Sequence, residues 1–190
     1  ALTPAINFAS SGSSTTATTS TRGYVFNITS PVTVTALSVF DLGADGLAQS
    51  HDVGIWNSSG TLLASVTVPS GTTAPLDSSG KFRYALLGSP VTLPVANGYR
   101  VGAVTLSGTP DLQFGSQTGL TAASGVTYVQ GAFINNGVAS LSFPSSNLGS
   151  GFSGGSFVTG NTALFTYVTP APTVTTIAPT SGSTLGGTSV

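Results

Sequence analysis

Cysteine is absent from this 190-residue chain, and so are methionine and glutamate. Without cysteine there is no disulfide scaffold, no thiolate zinc site and no thiol nucleophile. The acidic residues are five aspartates, opposed by four cations: Arg22, Lys81, Arg83 and Arg100. Charged residues make up only 5% of the chain, far below the ~25% usual for soluble domains. A net charge of -1 cannot neutralise a run of phosphates or dock on anionic lipid, which argues against nucleic-acid and membrane partners. No apolar run approaches the ~20 residues needed to span a bilayer. So little charge also weakens repulsion between copies, and self-association is expected. With no methionine, Ala1 is not a translation start. The expectation is a chain cut from a signal peptide, or a fragment. The Ser, Thr, Gly and Ala content resembles that of bacterial extracellular proteins.

What is present is alternation. Apolar residues recur at period two, in short runs rich in Val, Thr, Tyr and Phe, separated by Gly, Pro, Asn and Ser. This predicts strands at residues 23–28, 32–40, 52–56, 61–68, 82–86, 99–103, 126–133, 138–143 and 163–168. In residues 32–40 the apolar phase slips near Ala36, the mark of a bulge. Asn57-Ser-Ser-Gly60 and Asp77-Ser-Ser-Gly80 read as tight turns: Asn or Asp bonds its own backbone and glycine takes the positive φ. Residues 115–124 and 144–160, rich in Gly and Ser, read as long surface loops. Regular short strands without helices predict an all-β fold, an antiparallel two-sheet β-sandwich of jelly-roll-like or carbohydrate-binding-module-like form. Tyr24, Phe26, Phe82 and Val101 are expected in its core.

The chemistry concentrates in residues 40–56, FDLGADGLAQSHDVGIW. This stretch holds three of the five carboxylates (Asp41, Asp45, Asp52), the single histidine (His51) and the single tryptophan (Trp56). Asp41 and Asp45, with Gly46 following, resemble the first, fifth and sixth positions of a calcium loop. Asp52 would supply a third oxygen. The competing reading is structural, with the two carboxylates bonding turn amides and Gly46 at a positive φ. His51 and Asp52, adjacent on a strand, point to opposite faces and do not make a dyad. No G-x-S-x-G elbow occurs, and no glutamate exists to complete a glycosidase pair. Trp56 is read either as a core residue between the sheets or, with Tyr84, Tyr99 and Tyr128, as part of a sugar-stacking platform, and Trp56 and His51 are the candidate ligand-binding residues.

Two segments resemble known families. GYVFNITSPVTVTALSVFDLGADGLAQSHDVGIWNSSGTLLASVTVP at residues 23–69, followed by FRYALL, LPVANGYRVGAV and VTYVQGAF, resembles the bacterial domain of unknown function numbered 4082. The resemblance covers residues 5–168 and implies a secreted or surface-exposed β-sandwich, with no established activity. That family tends to carry glutamate or histidine before its V-G-[IL]-[WY] strand, where this chain has Ser50-His51-Asp52. The tail PTVTTIAPTSGSTLGGTSV resembles the opening of an immunoglobulin-like TIG domain, a spacer or contact module. Only its first strand and turn would fit in residues 174–190.

The expected organisation is therefore a β-sandwich domain at 1–168 with a Ser/Thr-rich arm at 9–21, a Pro-rich linker at 169–173 and an incomplete Ig-like segment at 174–190. The expected function is a non-catalytic structural or interaction module, extracellular or on the bacterial cell surface, in a matrix or in a filament. Its partners would be further copies or other surface proteins. The alternative is a carbohydrate-binding module taking polysaccharide, with calcium as its candidate ion.

Overall fold

The computed structural model describes residues 2–14, 18–108, 113–147 and 163–167. The chain enters through three short strands, β1 (Thr3–Pro4), β2 (Ile6–Asn7) and β3 (Ser10–Ser14). Two long strands follow, β4 (Ser20–Ile28) and β5 (Val32–Phe40), and then β6 (His51–Trp56) and β7 (Leu62–Val68). Next come β8 (Phe82–Leu93), β9 (Ala96–Thr105), β10 (Gln113–Thr118) and β11 (Thr121–Ala122). The last are β12 (Val126–Ile134), β13 (Ser146–Asn147) and β14 (Ala163–Tyr167). Among the described residues there is no α-helix, only a 3-10 turn at Leu42–Ala44.

All pairings are antiparallel. One sheet has the order β1-β14-β5-β8 and the other β13-β12-β4-β9-β6-β7. Two ribbons, β10-β3 and β11-β2, are appended. The chain passes repeatedly between the two large sheets, and their inner faces share one core. Tyr24, Phe26, Ile55 and Val101 come from the larger sheet, and Val34, Leu37 and Phe82 from the smaller. Phe26 stacks on Tyr99 at 5.6 Å, while Phe8, Phe40 and Phe82 form a tilted aromatic triangle. Among the described residues neither sheet closes on itself, and each ends in edge strands.

The local signals hold where backbone chemistry alone governs them. Against β14, Ala36 faces Thr166 and Val34 faces Tyr167, so Thr35 is the extra residue of β5, the bulge expected from the change of phase. Asn57 Oδ1 accepts from the backbone N–H groups of Ser59 and Thr61, and Gly60 sits at φ 87°. At the second turn Asp77 Oδ1 accepts from Ser79 N–H, and Gly80 sits at φ 70°.

Three expectations need correction. Residues 115–124 are not simply loop, because β10 pairs with β3 of the N-terminal arm and β11 with β2. Ser- and Gly-rich backbone pairs through its own N–H and C=O groups, so no apolar alternation announces it. Residues 138–143 are not a strand. Asn136 accepts from Val138 N–H and donates to Ser142, drawing the chain into an irregular strap. Residues 146–147, read as loop, add a short rung to β12. The remainder of the 144–160 loop, the 169–173 linker and the 174–190 segment lie outside the described residues.

The strap lies on the outer face of the larger sheet, in a furrow made by glycine. Gly23, Gly102 and Gly54 are cross-strand neighbours on β4, β9 and β6. A Cβ at Gly102 would meet Thr21 Cγ2 at 2.9 Å and Pro144 Cγ at 3.4 Å. Only a surface this flat lets the strap's Pro144 settle into burial.

Candidate functional site

Residues 40–56 leave β5, make the 3-10 turn and return through β6. Asp41 and Arg83 are both buried, each only 4% exposed, and Arg83 Nε donates to Asp41 Oδ2 at 2.5 Å. The rest of the guanidinium is spent on carbonyls: Nη1 on Ala74 at 2.7 Å and on Thr72, Nη2 on Ala44 at 3.0 Å. Asp41 also accepts from Gly46 N–H at 3.0 Å, and Gly46 has φ 113°. One arginine thus ties β8, the 41–46 loop and residues 72–74 together. A buried charge needs such a complete set of partners, because stripping its water costs several kcal/mol per ion.

The three aspartates do not converge. Asp41 faces Arg83, Asp45 is exposed on the loop, and Asp52 accepts from Thr67 Oγ1 across the β6–β7 ladder at 2.5 Å. Among the described residues no group of three or more His or Asp side chains is placed to hold a metal. His51 is buried on the opposite face from Asp52, and its Nδ1–H donates to the Val104 carbonyl at 2.7 Å. A carbonyl can only accept, so this bond defines the tautomer.

Both Ile55 and Trp56 are buried, so β6 is covered on its two faces. Ile55 joins the core, while Trp56 lies under the strap, edge-on to Phe143 at 6.3 Å. Arg100 sits over the other ring of this pair, 5.2 Å from the Phe143 centroid, and donates to the Pro144 carbonyl. Burial lowers the Arg100 pKa from its ordinary value. Trp56 is 4% exposed and presents no open ring face on which a pyranose could stack.

A cleft of ≈ 450 Å³ opens beside the 41–44 loop, walled by Phe8, Phe40, Leu42 and Lys81. Its lining includes Ala44 at φ 58°, the one non-glycine residue at positive φ among the described residues. Lys81, Asn7 and Asp77 gather near it, and none was singled out from the sequence as a site residue. Arg83 was missed as well, although a signal was there. An arginine between Phe82 and Tyr84 interrupts an apolar strand, and in a chain of five carboxylates its partner must be one of very few. For Lys81 and Asn7 no sequence signal exists, since 74 positions separate them.

Comparison with curated proteins and with solved structures finds no match. A family model does match, over residues 8–153, which takes in β4 to β12, the 41–46 loop and the strap. The chain belongs to the family described as Domain of unknown function (DUF4082).

Proposed function

We propose that the chain is a non-catalytic structural or interaction module of a bacterial cell surface, extracellular matrix or filament, working by contact between sheets. The observation that carries this is the edge of β8, which among the described residues pairs with no strand beyond β5. Residues 75–77 cover its start, through Tyr84 N–H to the Pro75 carbonyl and Asp77 N–H to the Phe82 carbonyl. Beyond them β8 ends the sheet order and carries Leu86 at 64% exposure. Edge strands are normally blunted by charge, but the one charge on β8, Arg83, is turned inward to Asp41. The edge is therefore offered to an added strand up to Leu86, after which β8 leaves register with β5 ahead of Pro90, which has no N–H to offer. Residues 174–177 of a second copy, from the segment whose sequence resembles the opening of a TIG domain, are the proposed occupant. The remaining polar residues of the 41–56 cluster serve the module by bracing its own sheets.

Light scattering tests this on the full chain, on a chain lacking residues 170–190, and on Leu86→Lys. Association of the full chain is expected, with both changes shifting it to monomer. A full chain that stays monomeric at every concentration defeats the proposal.

A further inference from the structure

We infer that Lys81 and Asn7 form an intramolecular amide crosslink between their side chains, a covalent staple in a chain that has no disulfide. Lys81 is the single lysine. Its Nζ donates to Asn7 Oδ1 at 3.0 Å and to the Phe8 carbonyl at 2.6 Å, and lies 5.2 Å from the Phe8 ring centroid. No carboxylate pairs with it among the described residues. The ammonium therefore meets a carboxamide where an ion pair would be ordinary.

The geometry suits aminolysis of that carboxamide. Asn7 Oδ1 accepts from Phe8 N–H at 2.8 Å as well as from Lys81. That backbone N–H points at the oxygen on which negative charge develops when the amide carbon is attacked, as an oxyanion donor must. The C=O bond is only ~1.2 Å long, so a nitrogen on Oδ1 needs a small shift to reach Cγ, and the Phe8 carbonyl holds it close. Effective molarity of this kind removes much of a bimolecular barrier.

The step balances without any co-reactant. The Nζ–Cγ bond forms and the Cγ–Nδ2 bond breaks. The lysine ammonium and the asparagine carboxamide become one secondary amide and one ammonium ion, two protons passing from Nζ to the departing nitrogen. The product pins the N-terminal strands to the start of β8. Those strands need it, since β1 and β2 each contribute only two residues of ladder.

Intact-mass measurement of the purified full chain is the test, with no ligand to identify. The mass is expected to fall below the sequence mass by one ammonia. Trypsin should then fail to cut after Lys81 and yield residues 1–22 joined to residues 23–83. A succinimide at an Asn-Gly step loses the same mass but leaves those peptides separate, which would overturn the inference. So would an unmodified mass with normal cleavage after Lys81. Lys81→Arg and Asn7→Ala should each keep their full sequence mass.

Discussion

Removing the Asp41 carboxylate should cost this protein more than any surface charge could. In Asp41→Ala the Arg83 guanidinium stays buried, still held by the carbonyls of Ala44, Thr72 and Ala74 but with no counter-charge. Gly46 N–H loses its acceptor in the same stroke. Breaking one side of a buried pair typically costs about 3–5 kcal/mol. Whole domains are stable by only about 5–15 kcal/mol, and at this chain length each kcal/mol is worth roughly 2–4 °C in Tm. The expected drop is therefore on the order of 10 °C. Arg83→Met should be comparably severe, because it strands the Asp41 carboxylate. The double variant should cost at least ~2 kcal/mol less than the sum of the two, since neither charge is then left alone. Urea melts followed by fluorescence suit the measurement: Trp56 is the single tryptophan, is buried, and belongs to the same larger sheet as β9. Raising salt should leave the coupling largely intact, as the pair is shielded from solvent ions. Single-variant costs below ~1 kcal/mol, the range of exposed pairs, would refute the argument.

Other expectations follow from the strap, the glycine row and one tyrosine. Phe143→Ala should uncover Trp56, shifting its emission to the red and costing about 1–3 kcal/mol, less than a fully buried phenylalanine; an unmoved spectrum would mean that the strap does not shield the ring. Gly23→Ala places a Cβ 1.9 Å from the Val101 carbonyl oxygen, a backbone clash expected to cost more than ~3 kcal/mol and to lower expression. Normal stability of that variant would contradict the close approach of β4 and β9. Burial pushes the Tyr128 hydroxyl from 10.0 up to about 12. Above pH 10 the unfolded chain gives up this proton first, so stability is whole below that pH and declines as pH climbs through about 12. Tyr128→Phe should flatten that decline relative to the parent chain, and identical alkaline profiles would show the hydroxyl to be freely solvated.

How much was legible beforehand depended on the range of the interaction involved. Period-two alternation in residues 23–28 and 99–103 placed Tyr24, Phe26 and Val101 in the core, where they are. The slip at Ala36 and the turns at Asn57 and Asp77 were equally readable, because φ preferences and side-chain-to-backbone bonds act within a few residues. Residues 115–124, expected as loop, and residues 138–143, expected as strand, depart from the hydropathy reading for one reason. Backbone pairing in the first and side-chain bonding in the second leave no trace in hydropathy.

The sequence by itself determined the all-β class, the antiparallel strands and the inward-facing residues, since a pleated strand must alternate whatever it packs against. Tertiary structure alone decided what the polar residues of the 41–56 cluster do. Three aspartates within twelve positions looked like one site, yet β5, β6 and the loop between them send each to a different neighbour. Asp41 goes to Arg83, 42 positions away, and Asp52 to Thr67 across a ladder, while Asp45 goes to solvent. The same holds for Trp56 beneath Phe143 and for Lys81 against Asn7. Proximity in space is set by which sheet edges and faces meet, and that is a property of the whole chain's packing rather than of any stretch within it.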